Sequence, residues 1–153
     1  MAELTLNVNG AERQVSAAPR HTLVDVLRDE LSLSSVRESC GVGMCGACTV
    51  LLDGEPVSGC LVLAAAAEGR EIATVESLAV NGGPLAPLQQ AFVEHTAFQC
   101  SFCTPGFLLT AQRLLEENPA ASDEEITEYL SGNLWRCGSY VKILDAVRSL
   151  TAR

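Results

Sequence analysis

Aromatic side chains are scarce: Phe, Trp and Tyr together make up 5% of the 153 residues. Any core must therefore be assembled mainly from Leu, Val, Ile and Ala. Long apolar runs are missing too. The longest, Cys60 to Ala67, falls far short of the roughly 20 residues that a membrane-spanning helix needs, so membrane insertion is excluded. There is no basic run, and a formal net charge of −9 gives a surface that repels phosphate backbones and anionic lipids. Nucleic-acid binding is disfavoured for that reason. Histidine is limited to His21 and His95, and no Ser–His–Asp set or acid–base carboxylate pair stands out. Neither a signal-peptide pattern nor a twin-arginine pair opens the chain, so the cytoplasm is the expected compartment.

Against this, hydrophobic residues at 48% describe a globular chain, and seven cysteines are its unusual feature. In a reducing compartment, clustered cysteines serve more often as metal ligands or redox centres than as disulfides, and an odd count suits a purely disulfide framework poorly.

The N-terminal part alternates in the manner of strands. Leu4, Leu6 and Val8 alternate with polar residues, Asn9-Gly10 is a hairpin signal, and Val15 lies on the returning strand. Thr22 and Asp25 read as a capping box for a helix whose face is Leu23, Val26, Leu27 and Leu31. Thr49 to Leu52 is strand-like and Asp53-Gly54 marks a second hairpin. Leu61 to Ala67 reads as a short buried helix, and Ile72 to Val75 as a closing strand. Two hairpins around one helix suggest a β-grasp, ferredoxin-like unit. Asn81-Gly82-Gly83-Pro84 breaks the pattern and marks a boundary between residues 1–80 and 81–153. The second part reads as helical: Leu85 to Phe98, a helix headed by Thr104-Pro105, a third with Ser122 and Glu125 as its capping box, and a fourth carrying Val141, Ile143, Leu144 and Val147. Four short helices with short connections suggest a bundle. The expected class is α+β: a β-grasp, plant-type ferredoxin-like domain followed by a four-helix bundle.

Cys40, Cys45 and Cys48 follow the spacing C-x4-C-x2-C, and Cys60 comes after the second hairpin. This is the plant-type ferredoxin order of ligands for a [2Fe–2S] cluster. Gly41, Gly43 and Gly46 let the chain wrap closely and point N–H groups at sulfur. These glycines also match a dinucleotide-binding pattern, but no strand precedes them and no helix follows, so that reading fails. Structural zinc prefers paired C-x2–4-C knuckles, and only Cys45 and Cys48 form one. Cys100-x2-Cys103 lies at the start of a helix, and Cys137 lies between the last two. By spacing alone these three can build a second iron–sulfur site, a redox pair, or a zinc site completed by His95. A zinc-stabilised binding module with no redox role is therefore the competing reading of the chain. Met44, inside the first loop, is expected to shield a cluster from water.

Four segments together resemble the small, two-cluster iron–sulfur subunits of the xanthine oxidase family of molybdenum hydroxylases: CGVGMCGACTVLLDG from Cys40, VSGCL from Val57, QCSFCTPGF from Gln99 and GNLWRCGSYVKI from Gly132. The resemblance implies one [2Fe–2S] cluster on Cys40, Cys45, Cys48 and Cys60, and a second on Cys100, Cys103 and Cys137 within the helical domain. It implies that Gln99 and Cys137 lie beside the pterin of a molybdopterin-binding large subunit, and that electrons leave to an FAD-binding medium subunit or another acceptor. Substrate turnover would then belong to the partner. One position departs from the family pattern N-L-C-R-C-T-G-Y: Trp135 stands where a ligand cysteine is expected, and Gly138-Ser139 replaces Thr-Gly. Four explanations stay open at this point: Ser139 or a water completes the site, the loop shifts, the cluster is absent or altered, or Trp135 is an introduced change or a sequence error.

Overall fold

The computed structural model describes residues 1–79 and 83–152. The expected boundary at Val80, Asn81 and Gly82 lies outside the described residues.

Strand β1 (Ala2–Val8) turns back at Asn9-Gly10 into β2 (Ala11–Ala17), with Val8 opposite Ala11. Asn9 and Gly10 both take left-handed φ values, 53° and 75°, as do Asp53 and Gly54 at the second turn, 52° and 84°. This backbone matches the twist of a two-residue hairpin. The second hairpin joins β3 (Thr49–Leu52) to β4 (Glu55–Ser58). Strand β5 (Glu71–Ala73) lies parallel to β1 and antiparallel to β3, giving a mixed sheet of order β2-β1-β5-β3-β4. β5 is shorter than expected, because Val75 already belongs to a 3₁₀ turn, Val75–Ser77.

Thr22 and Asp25 form the anticipated capping box of α1 (Leu23–Asp25), which runs on as a π-helical segment, Val26–Glu30. Leu23, Val24, Val26 and Leu27 seal one side of the sheet with Leu4, Leu6, Val8, Val50 and Ile72. All four residues of β3 are buried, since the helical half covers its other face. That double cover explains why its sequence runs apolar instead of alternating.

The predicted helix over Leu61 to Ala67 does not form. The chain makes two 3₁₀ turns, Gly59–Leu61 and Ala64–Ala67, and Leu61 is 64% exposed. The backbone between them is drawn into pairing with the segment before α1: Leu23 N–H donates to Val62 O (2.6 Å) and Ala64 N–H to His21 O (3.0 Å). Those bonds hold it extended.

Helices α2 (Pro87–Glu94), α3 (Thr104–Glu117), α4 (Asp123–Leu130) and α5 (Tyr140–Arg148) enclose a second core of Leu88, Phe92, Phe107, Leu114, Ile126, Leu130, Ile143 and Val147. α2 is shorter than the predicted Leu85 to Phe98. It stops at His95, and Thr96 then takes a left-handed φ of 51°. α3 begins at the predicted cap itself, one residue earlier than expected: Cys103 is the N-cap and Thr104 is already helical. Val141, near the start of α5, is 63% exposed. Ser122 and Glu125 form their capping box. Among the described residues no helix is long and apolar enough to cross a membrane. Among the described residues the architecture is mixed α+β, with one five-stranded sheet and five α-helices.

Candidate metal centres

The loop from Ser34 to Cys48 crosses the gap between the two cores. Cys40 receives the N–H of Cys45 on its sulfur (3.4 Å). The backbone N–H of Val42, then that of Cys45, pull its thiol down to about 6. A thiolate wrapped by amide hydrogens is the form a metal binds. Cys48 and Cys60 are buried and close to each other; burial first, then the neighbouring Cys60 and Cys45 sulfurs, push the Cys48 thiol up to about 11. Sulfurs that resist sharing negative charge are relieved by a cation between them, which couples metal uptake to loss of their protons. Gly59 N–H donates to Cys48 O (3.1 Å), fastening the end of β4 to the loop and bringing Cys60 to the other three. All four cysteines are free thiols. Met44, expected as a shield, is 67% exposed in this chain, because the tight loop turns its side chain outward.

Cys100, Cys103 and Cys137 gather at the start of α3 and in the turn before α5. Burial, then the charges of Cys137 and Cys100, raise the Cys103 thiol. Cys137 is lowered by the Ser139 hydroxyl at 3.2 Å, with the Ser139 N–H adding to it. Trp135 offers these thiols no metal ligand, since an indole nitrogen is only a donor. It stacks on Tyr140 (3.8 Å between centroids, 5° between planes) and meets Phe107 edge-on at 6.1 Å. Gln99 is exposed beside Cys100. His95 closes α2 through its backbone. Among the described residues, no three His, Cys, Asp or Glu side chains form a group suited to one metal ion. A two-iron cluster divides its ligands between two metals.

The two sets share one cleft. Cys45 and Ala47 from the loop face Cys100, Cys103, Trp135 and Cys137 across a cavity of about 460 Å³. Leu134 N–H donates to Cys45 O at 2.8 Å, a direct backbone link between the two sets. Beneath it lies a knot that the sequence did not disclose. Asn133, only 3% exposed, donates to Gly46 O (3.1 Å) and Thr49 Oγ1 (3.4 Å), and accepts from Thr110 Oγ1 (2.9 Å). A Cβ on Gly106 would stand 2.2 Å from Gly46 O, so only glycine permits the two halves to approach this closely. An asparagine after a glycine at a helix end reads as a solvated turn, which is why the sequence hides this role. Arg37 reinforces the contact, donating to Ser101 O and lying 5.4 Å over the Phe102 ring. Arg113 on α3 pairs with Glu55 on β4 at 2.6 Å.

Two family models match the chain: one described as a 2Fe-2S iron-sulfur cluster binding domain over residues 6–79, the other as a [2Fe-2S] binding domain over residues 74–148. The chain is 50% identical to the nicotine 6-hydroxylase small subunit of Paenarthrobacter nicotinovorans, over 95% of this chain and 87% of that one. It is 48% identical to the nicotinate dehydrogenase small FeS subunit of Eubacterium barkeri, over 98% and 95%. The crystal structure of quinoline 2-oxidoreductase from Pseudomonas putida 86 superposes with a TM-score of 0.92 at 45% identity, covering 95% of this chain and 90% of that one. The chain therefore belongs to the small iron–sulfur subunits of the xanthine oxidase family of molybdenum hydroxylases, the electron-transfer and non-catalytic members of such oxidoreductases.

Proposed function

We propose that this chain holds two [2Fe–2S] clusters and relays electrons from the molybdopterin site of a large partner to an FAD-binding medium partner or another acceptor. Cys40, Cys45, Cys48 and Cys60 hold the first cluster; Cys100, Cys103 and Cys137, with one further ligand, hold the second. Residues 1–80 are the β-grasp, plant-type ferredoxin-like domain and residues 81–153 the four-helix bundle. The complex works in the cytoplasm.

The observation that carries this reading is the shared cleft: Cys45 lines the same cavity as Cys100, Cys103 and Cys137, and Leu134 N–H bonds Cys45 O at 2.8 Å. When bound, each cluster supplies a one-electron carrier. The chain contributes placement. Amide hydrogens on Cys40 stabilise its thiolate, and N–H groups on cluster sulfur raise a reduction potential. Asn133 fixes one site against the other. Gln99, which is exposed beside Cys100, would meet the pterin, with Cys137 as the second contact. A zinc-stabilised module is not favoured, since both halves match iron–sulfur families.

Iron and acid-labile sulfide analysis of the purified complex, with quantitative EPR after dithionite reduction, tests the proposal. The expected result is about four irons per chain, two for each cluster, and two distinct signals. A single signal with half the iron would overturn the two-cluster relay.

A further inference from the structure

The second proposed site lacks a cysteine at position 135, and the residue there is committed elsewhere. Trp135 lies flat on Tyr140 and packs on the second core. An indole nitrogen donates a hydrogen bond and offers no lone pair to a metal. The fourth ligand must come from another atom.

Ser139 has the placement for it. It is 2% exposed and sits at the N-cap of α5. A serine there ordinarily accepts an N–H from the first turn of its helix, but this hydroxyl makes no such bond. Its side chain bonds Cys137 Sγ, at 3.2 Å. A tetrahedral metal with a thiolate at about 2.3 Å and an oxygen at about 2.0 Å keeps those two atoms about 3.5 Å apart. Sγ and Oγ thus already stand near the spacing of two ligands on one iron. The sequence repeats the logic: the Cys-x-Cys expected of this segment reappears two residues later as Cys137-Gly138-Ser139, and Gly138 places no side chain between the two.

We propose that Ser139 Oγ is the fourth ligand of the second cluster, completing Cys100, Cys103 and Cys137; this rests on the two-cluster reading above. On assembly the Fe–O bond forms as the Ser139 hydroxyl gives up its proton to solvent. The three thiols release theirs in the same way, and no electron changes hands. An alkoxide is a harder donor than a thiolate and favours the more oxidised iron. The second site therefore has a lower potential than an all-cysteine version would have.

Another oxygen nearby supplies the contrast. Thr104 Oγ1, next to Cys103, is buried without a partner, but nothing brings it toward Cys137. The test uses the purified complex carrying the wild-type chain, Ser139→Ala, Ser139→Cys or Thr104→Val, read by iron and sulfide content, EPR and redox titration. Two signals are expected from wild type. Ser139→Ala is expected to lose half the iron and the second signal while keeping the first. Ser139→Cys is expected to keep all the iron with a raised midpoint potential and changed g values at the second site. Full iron and unchanged g values in Ser139→Ala overturn the proposal, as does loss of the second signal in Thr104→Val instead. If Ser139→Ala fails to fold, Ser139→Cys decides: an unchanged potential and spectrum overturn Ser139 as ligand. A wild-type chain with one signal overturns the two-cluster reading itself, whereas two signals in both wild type and Ser139→Ala remove only the serine.

Discussion

The two cysteine sets solve one problem by different means. In the first, a single loop between α1 and β3 carries three thiols, and a returning strand end brings the fourth. The backbone itself shapes the site, with left-handed φ at Gly41, Gly43 and Gly46 and amide hydrogens aimed at Cys40. In the second, the thiols come from the start of α3 and the turn before α5, two separate elements brought together by helix packing and by hydrogen bonds such as those of Asn133. A backbone-shaped site tolerates little change in its loop. A packing-held site tolerates a changed ligand, because the surrounding helices keep the remaining thiols in position. Trp135 fits that difference: it stands at a ligand position and packs, half-buried, against the second core.

Four substitutions separate these accounts. Cys48→Ala deletes a buried thiol of the backbone-shaped site. It is expected to remove that site's iron, about two atoms per chain, and leave the second EPR signal intact; loss of both signals would mean that the two sites assemble as one. Gly106→Ala forces a methyl to 2.2 Å from Gly46 O, a backbone atom that cannot rotate away. Urea unfolding of the full chain is expected to show destabilisation of about 3 kcal/mol, at the upper end for overpacking. Asn133→Ala leaves Gly46 O without its Asn133 donor and Thr110 Oγ1 without its Asn133 acceptor. The expected cost is about 2 kcal/mol, and iron should fall at both sites together, unlike in Cys48→Ala. An effect confined to one site would show that the knot does not join them.

The smallest effect lies far from both sites. Ser122→Ala removes the α4 cap and is expected to cost about 1 kcal/mol. Its pH dependence has a definite sign. The Ser122 N–H, then its hydroxyl, hold the Glu125 carboxyl below the ordinary carboxylate range. That carboxylate's contribution is therefore fully present above the unfolded pKa of Glu125 and is lost as pH falls through the lower folded value. The Glu125 carboxylate accepts from the Ser122 backbone N–H, which Ser122→Ala keeps, whereas the bond that is lost, from Glu125 N–H to Ser122 Oγ, does not titrate. Both chains should therefore weaken over the same acid range with the gap between them persisting and iron content equal throughout; a gap that closes in acid would show that the serine acts mainly through the Glu125 carboxylate.

Local signals were legible where local chemistry decides. Asn9-Gly10 and Asp53-Gly54 gave both hairpins, and Thr22–Asp25 and Ser122–Glu125 gave both capping boxes, since each depends on atoms a few residues apart. The prediction over Leu61 to Ala67 failed, because an apolar run of that length suits a helix as well as an extended bridge. Only the bonds to His21 and Leu23 decided between them. Val141, Ile143, Leu144 and Val147 marked α5, although Val141 itself lies exposed, because periodicity locates a helix and packing decides how wide its buried face is.

Cysteine spacing, glycine placement and the quoted motifs determined by themselves that this chain belongs to an iron–sulfur family, because ligand chemistry is written in residue type and local spacing. That Cys45 shares one cleft with the second thiol set, that Asn133 and Gly106 join the segments there, and that Trp135 stacks on Tyr140 while Ser139 bonds Cys137 were decided only by the tertiary structure. Those facts depend on segments distant in sequence. What brings them together is hydrogen bonding and close backbone approach between those segments, which no local pattern encodes.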